Sequence, residues 1–151
     1  KLGLLINHAL STTEAKITHV GKHANKLNLV ASNRCQTFSI ENMPEKKFDI
    51  VIEATGSMSG FQFSLEHTKP RGILALKSTI AADQKIDLAP VVVNEITIVG
   101  SRCGLFKPAL DYLETGVDLS GLITDIFPIE RGIEAFETAR SKGSLKVLIS
   151  F

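Results

Sequence analysis

The chain has 151 residues and a nearly balanced charge, 17 Lys and Arg against 16 Asp and Glu, for a formal net charge of +1 at pH 7. This length suits one domain or most of one, and the balance excludes the broad basic field that binds nucleic-acid backbones or anionic membranes. No apolar run approaches the roughly 20 residues needed to span a bilayer. We therefore expect a soluble, cytoplasmic protein that binds neither nucleic acid nor membrane.

Helical and strand patterns alternate along the first two thirds of the chain. The predicted helices cover residues 1–10, 24–32 and 59–68, and the predicted strands cover residues 15–21, 37–40, 48–56, 72–78 and 96–101. Ser57 or Ser59 would cap the third helix, residues 69–72 predict a turn, and Pro90 leaves residues 86–95 ambiguous. Strands that recur about every 20 to 25 residues with helices between them are typical of an α/β protein with a doubly wound parallel sheet.

The last third of the chain changes character after residue 103. Its patterns predict a helix, a strand, an amphipathic helix and a final strand, at residues 107–116, 123–128, 129–143 and 144–151. Ile129, Ile133, Phe136 and Ala139 share one face of the amphipathic helix, which indicates a segment that packs on another surface. We therefore expect two parts, a nucleotide-binding domain over residues 1–103 and a C-terminal helix-strand segment over residues 104–151.

Catalytic and metal-binding motifs are absent from the sequence. Cys35 and Cys103 lie far apart and outside any Cys/His cluster, so we expect free thiols and no metal site in this chain. No HExxH, GxSxG or P-loop pattern occurs, and the histidines are scattered. Glu53 ends the clearest strand, where a lone carboxylate is more often a hydrogen-bonded structural group than a catalytic one. Any catalytic group is therefore expected outside this chain.

Small, hydroxylated or cationic residues follow the predicted strands. In a doubly wound sheet ligands bind beyond the carboxyl ends of the strands, and these residue types suit phosphates and sugar hydroxyls. The strand ends are Gly21-Lys22-His23, Thr55-Gly56-Ser57, Lys77-Ser78-Thr79 and Gly100-Ser101-Arg102. Any one of these ends, taken alone, could be an ordinary polar turn.

Several segments together resemble the medium-chain dehydrogenase/reductases, the zinc-type alcohol dehydrogenase superfamily. They are KLGLLI, THVGKHANKL, FDIVIEATGSMSGF, KPRGILALKST, NEITIVGSRCG and ITDIFPIERGIEAFETARSKGSLKVLISF. The resemblance covers essentially the whole chain and implies a Rossmann-type sheet. It also implies hydride transfer between NADP(H) or NAD(H) and an alcohol or carbonyl substrate, and a homodimer through the strand around Ile96–Gly100.

The resemblance places the first Rossmann strand, two glycines of the GxGxxG fingerprint and the catalytic domain ahead of residue 1. We therefore expect a sheet truncated at its first, central strand, and a chain that binds the cofactor but does not catalyse alone. Any zinc would lie on that other domain. Gly3 corresponds to the third fingerprint glycine, Lys1 offers a backbone amide to the phosphates, and Leu2 packs under the nicotinamide. Lys146 would contact the pyrophosphate, although a lysine at a strand edge can also serve only to deter aggregation.

The same resemblance assigns the nicotinamide half of the cofactor to three strand ends. They are Ala54, Thr55 and Gly56 under the ribose, Lys77, Ser78 and Thr79 at the carboxamide, and Val99, Gly100 and Ser101, which complete the carboxamide site. These assignments rest on matching motifs and are expectations.

The end of the second family strand indicates which cofactor is bound. NAD-dependent members have an acidic residue there, which would repel a 2′-phosphate. This chain has Gly21, Lys22 and His23 instead, so NADP is expected ahead of NAD, although Lys22 could be an ordinary surface lysine. Two other readings remain open: a non-catalytic nucleotide-sensing or interaction module, and a methyltransferase-like domain, which would also favour an acidic residue at Gly21.

Overall fold

The computed structural model describes residues 1–30, 32, 34–79 and 85–151. The helices are α1 (Leu2–Leu10), α2 (Ala24–Leu27), α3 (Met58–Glu66), α4 (Ala89–Val93), α5 (Phe106–Glu114) and α6 (Gly132–Arg140). The strands are β1 (Ile17–Gly21), β2 (Cys35–Ser39), β3 (Phe48–Glu53), β4 (Thr68–Leu76), β5 (Thr97–Gly100), β6 (Ile123–Pro128) and β7 (Lys146–Ser150). None of the helices in these ranges is long and apolar enough to cross a membrane.

The chain divides into two compact units. The larger unit contains Leu2 and Ile6–Cys103, and the smaller unit contains Lys1, Gly3–Leu5 and Gly104–Phe151. Strands β1 and β2 form a parallel pair in the larger unit, where β3, β4 and β5 form a parallel sheet in that order. Helices connect these parallel strands, as a doubly wound α/β fold requires, so the predicted fold class is confirmed.

The core of the larger unit lies against the central strand of the three-stranded sheet. Leu74 of β4 is 0% exposed, and it packs with Phe61 and Leu65 of α3 and with Ile96, just before β5. Each of these side chains is buried because β4 has a hydrogen-bonded neighbour on both edges and α3 covers its face. This packing fixes where the three strands end.

The strands of the larger unit do not form one continuous sheet. Within the described residues, β1 pairs with β2 and β3 pairs with β4, and no ladder joins β1 to β3. Leu4 of α1 is buried and Ile6 is half-buried, so the apolar face of the first helix is not left in solvent.

The smaller unit contains the parallel pair β6 and β7, connected through α6. Its buried apolar side chains include Phe127 of β6, Ala135 of α6 and Leu145 before β7. The face of α6 that the sequence pattern predicts to pack on another surface is exposed in this chain, since Ile133 is 81% and Phe136 is 66% exposed. Within this unit α6 therefore packs through Ala135, and the larger apolar side chains remain outward.

The largest differences from the predicted helices lie in residues 24–32 and 129–143, and the structure also resolves the ambiguous residues 86–95. The helix predicted over residues 24–32 is the single turn α2, which ends at Leu27, and Ala31 lies outside the described residues. Residues 86–95 contain the short helix α4, with Pro90 in its first turn. Proline is tolerated there because the N–H groups of the first turn make no hydrogen bond within the helix. The amphipathic helix α6 begins at Gly132, after a 3₁₀ turn over Ile129–Arg131.

The turn predicted over residues 69–72 is wrong, because this segment lies inside β4. The ladder to β3 shifts register between Phe48 and Ile50, and Arg71 takes a positive φ of 61° while its N–H donates to the Asn94 carbonyl at 2.7 Å. A Cβ at Gly72 would lie 2.9 Å from the Lys69 carbonyl oxygen. The turn-forming residues therefore make a bulge that the strand passes through.

We expect Leu74→Ala to lower the free energy of unfolding by about 2–5 kcal/mol, because it removes a fully buried side chain and leaves a cavity. Ile73 is the neighbouring residue on the same strand and is 39% exposed. Ile73→Ala is therefore the matched control and should lower the free energy of unfolding by clearly less. Urea unfolding followed by circular dichroism measures both. Equal costs would contradict this description of the core.

Candidate functional site

The loops that leave β3, β4 and β5 start from one edge of the sheet. The parallel ladders place Glu53, Leu76 and Gly100 side by side as the last residues of the three strands. The chain segments that begin at Ala54 and Lys77 therefore emerge next to each other, as doubly wound sheets require of a ligand-binding edge. Most of the predicted nicotinamide-side residues lie in these segments.

A buried carboxylate organises the loop after β3. Glu53 is 1% exposed, and its Oε1 accepts hydrogen bonds from the N–H and hydroxyl of Thr55, both at 2.6 Å, and from the Gly56 N–H at 3.2 Å. Its Oε2 accepts a hydrogen bond from the Ser78 hydroxyl. Both carboxylate oxygens are thus satisfied inside the protein, which a buried charge requires.

The hydrogen bonds determine the ionisation of Glu53. Burial raises the pKa of this carboxyl, but the donors on Ser78, Thr55 and Gly56 together hold the pKa below its usual value. Glu53 is therefore a carboxylate at neutral pH, and each of its donors is held by a full negative charge.

Ser78 connects the loop after β3 to the loop after β4. Its hydroxyl donates to Glu53 and accepts a hydrogen bond from the Gly56 N–H at 2.9 Å. Gly56 takes a φ of +73°, a conformation that favours glycine. The two predicted loops therefore share one hydroxyl.

Lys77 connects the loop after β4 to the loop after β5. Its Nζ donates to the Ser101 hydroxyl at 3.2 Å and to the Arg102 carbonyl. Its backbone N–H donates to the Glu53 carbonyl at 2.9 Å. The three strand ends are thus joined by side chains as well as by the backbone ladder.

Helix α3 begins directly after the Glu53 loop. Ser57 is its N-cap, because the Ser57 hydroxyl accepts from the Gly60 N–H at 3.1 Å. A Cβ on Gly60 would lie only 1.9 Å from the Thr55 hydroxyl oxygen, so a glycine is needed for the helix to approach the loop this closely. Of the two predicted caps, Ser57 is confirmed.

The end of β1 presents the lysine side chain of Lys22 and the imidazole of His23 to solvent. Gly21 closes the strand opposite Ser39 of β2, and the His23 carbonyl accepts the first amide hydrogen bonds of α2. Lys22 and His23 are exposed, and neither side chain has a hydrogen-bond or ion-pair partner among the residues that the structure describes. These groups are available to an anion.

The smaller unit contains two of the other predicted site residues near each other. Lys1 and Lys146 line one small cavity, whose apolar walls are Leu4, Leu5, Leu122 and Leu145. Lys146 is the first residue of β7, and α1 begins immediately after Lys1. Gly3 lies in the first turn of that helix, and Leu2 is partly exposed.

The Thr79 side chain makes no hydrogen bond in the described part of the chain, and the Val99 side chain has no donor or acceptor. Gly100 contributes only its place in the β4–β5 ladder. The sequence reasoning missed the side chain of Lys77 as a link to Ser101, since no local pattern joins two residues 24 positions apart. Glu53 is the hydrogen-bonded carboxylate that its position at the end of β3 predicted. The described ranges contain no cluster of three or more His, Cys, Asp or Glu that could hold a metal ion.

Residues 2–115 match the family described as zinc-binding dehydrogenase. The chain is 32% identical over 108 residues to L-threonine 3-dehydrogenase of Saccharopolyspora erythraea, covering 69% of this chain and 32% of that protein. It is 30% identical over 113 residues to sorbitol dehydrogenase of Mus musculus, covering 73% and 32%. The chain thus spans about a third of the length of these relatives.

Solved structures share the fold. L-idonate 5-dehydrogenase from Escherichia coli has a TM-score of 0.89 at 23% identity, over 99% of this chain and 47% of that one. TarJ from S. aureus, solved in complex with NADPH, has a TM-score of 0.86 at 24% identity, over 100% and 53%. With the strand-end geometry and the matched residues together, the chain belongs to the zinc-binding dehydrogenases, the family of zinc-type medium-chain dehydrogenase/reductases that its motifs resemble.

Proposed function

We propose that this chain is the dinucleotide-binding part of an alcohol or polyol dehydrogenase and takes NADP(H) in preference to NAD(H). The observation that carries the proposal is the joined edge of β3, β4 and β5, where Glu53, Ser78 and Lys77 hold three loops together. Members of a dehydrogenase family need such an edge to hold a nicotinamide in one orientation.

The nicotinamide half of the cofactor is assigned to these loops. Ala54, Thr55 and Gly56 would lie under its ribose, and the backbone of residues 77–79 and 99–101 would bind the carboxamide. The loops fit this role because Glu53, Ser78 and Lys77 connect them through hydrogen bonds, and the charge of Glu53 is buried. Backbone amides and carbonyls are then left to orient the ring.

The adenosine half is assigned to Gly21, Lys22 and His23. Gly21 leaves room beside the ribose. The unpaired side chain of Lys22 offers positive charge to a 2′-phosphate, and the unpaired imidazole of His23 offers a hydrogen bond. TarJ was solved with NADPH, a structural neighbour from Sinorhizobium meliloti with NADP, and rspB from E. coli CFT073 with NADH. Structural neighbours therefore bind either cofactor, and the preference proposed for this chain depends on Lys22 and His23.

The diphosphate is assigned to the first turn of α1 and to Lys146. Lys1 and Gly3 would offer backbone N–H groups, as helix N-termini do for phosphates, and Lys146 would supply a charge. The competing explanation, a lysine that only protects a strand edge, predicts no effect of Lys146 on binding.

When bound, the nicotinamide supplies the hydride acceptor and donor for an alcohol and its carbonyl product. This chain's residues contribute by holding the nicotinamide ring and its ribose in one orientation. Such alignment supplies a large part of the rate acceleration of a transfer step whose reacting atoms must lie close together. The described residues do not fit a zinc site, so no step is assigned to a metal here. The substrate is proposed to be a small hydroxylated molecule, since relatives are named for threonine and sorbitol.

A second copy of the chain is proposed to pair along β5. In the described residues this strand pairs with β4 on one side, and its exposed Val99 lies at the other edge of the sheet. An unpaired strand edge is a ready template for a matching strand, and a homodimer would cover it.

The proposal is tested by titrating the full-length protein with NADPH and NADH and following nucleotide fluorescence. We expect NADPH to bind more tightly, and NADP⁺ reduction at 340 nm with an alcohol from a panel that includes L-threonine and sorbitol. Binding without turnover of any alcohol would favour a nucleotide-sensing module. Binding of neither nucleotide would refute the proposal.

We expect Lys22→Glu to weaken NADPH binding by about 10- to 100-fold, because a charge-assisted hydrogen bond to the 2′-phosphate contributes about 1.5–3 kcal/mol and is replaced by repulsion. NADH affinity should change much less. Lys47→Glu, on an exposed loop of the same unit, reproduces the change in net charge. Equal loss for both nucleotides would argue that Lys22 does not read the 2′-phosphate.

We expect Lys146→Ala to weaken NADPH and NADH equally, by about tenfold, because both carry the same diphosphate. Lys142→Ala removes an exposed lysine between α6 and β7 and serves as the control. Isothermal titration calorimetry gives the dissociation constants. Unchanged affinity together with increased aggregation would support the strand-edge explanation instead.

A further inference from the structure

We propose that Glu53 is a positioning residue for the nicotinamide half of the cofactor and acts through Ser78. This inference rests on the proposed function and deepens it. Glu53 lies beneath the loops, at 1% exposure, so it cannot itself contact a ligand on their outer surface. Its effect on binding must pass through the groups that it holds.

The hydrogen bonds give Glu53 a specific task. Its Oε1 binds the backbone N–H groups of Thr55 and Gly56, and its Oε2 binds the Ser78 hydroxyl of the next loop. One carboxylate therefore sets the spacing between the segment proposed for the ribose and the segment proposed for the carboxamide. Since one segment would contact the ribose and the other the carboxamide of the same nicotinamide half, a change in their spacing would weaken the binding of that half alone.

All of the groups that face the carboxylate are donors, and this makes the charge necessary. In Glu53→Gln one oxygen becomes an amide that cannot accept a hydrogen bond. If the amide nitrogen faces Ser78, the Ser78 hydroxyl loses the oxygen to which it donated a hydrogen bond. The same hydroxyl already accepts a hydrogen bond from the Gly56 N–H at 2.9 Å. The side chain keeps its shape, so the variant tests the hydrogen bonds and leaves the packing volume nearly unchanged.

The test compares two ligands in the full-length protein. One is NADPH, or NADH if the wild-type protein prefers it, and the other is the matching adenosine fragment, adenosine 2′,5′-bisphosphate or ADP. We expect Glu53→Gln and Ser78→Ala each to weaken dinucleotide binding by about tenfold while the fragment binds within about twofold of wild type. A residue that only stabilised the fold would affect both ligands or neither.

Further variants separate the coupling from general damage. Ser78→Thr keeps the hydroxyl and should bind the dinucleotide nearly as wild type does. The double variant Glu53→Gln/Ser78→Ala should be no weaker than either single variant, because both remove the same connection. Ser150→Ala removes a hydroxyl that donates to the Phe127 carbonyl in the smaller unit and should leave both affinities unchanged.

The outcomes are distinct. If wild type binds the dinucleotide and both single variants bind it equally well, or lose both ligands equally, the positioning role is overturned. If wild type binds neither nucleotide, the proposed function itself fails. If Glu53→Gln does not fold, the comparison of Ser78→Ala with Ser78→Thr still decides, because Ser78 is only partly buried and its hydroxyl is the other half of the connection.

Discussion

A buried carboxylate needs donors on both of its oxygens, and this need shapes the edge of the sheet where β3 ends. The Glu53 carboxylate accepts hydrogen bonds from the backbone of its own loop and from a hydroxyl of the neighbouring loop. Leaving such a charge unpaired would cost several kcal/mol, so the loops have little freedom to separate. The close approach of α3, which needs Gly60, and the positive φ of Gly56 both follow from accommodating this arrangement.

Local sequence patterns predicted the strands and helices that are determined by residues close together in the sequence. Strand β3 follows from its apolar, largely β-branched residues, and α3 from a serine that caps it. The parallel α/β fold followed from the alternation of such segments. The positions that the family resemblance assigned to the two ribose sites and to the carboxamide lie at or just after the ends of β1, β3, β4 and β5, whereas Lys1, Leu2, Gly3 and Lys146 lie at the start of α1 and of β7. The resemblance alone gave no account of what holds the loops together.

The features that could not be predicted depend on partners far along the chain. Residues 69–72 have the composition of a turn, yet they continue β4 because the Arg71 N–H finds the Asn94 carbonyl. The ammonium of Lys77 reaches Ser101, and the carboxylate of Glu53 reaches Ser78, 25 positions away. In α6 the apolar spacing was real, but it marked the outward face, since Ala135 is small enough to pack on the strands. Periodicity shows that a face is apolar and does not show what covers it.

The distribution of charge at the ligand edge has a consequence for ionic strength. The charges of Glu53 and Lys77 are already engaged by donors and acceptors within the protein, so the nicotinamide end would meet dipoles rather than free ions. Lys22 and His23 are in solvent, where dissolved ions screen a charge over about 8–10 Å. Under the proposed function, concentrated salt should therefore weaken the contacts with the 2′-phosphate and the diphosphate, and reduce the difference in affinity between NADPH and NADH, while the contacts with the nicotinamide change little.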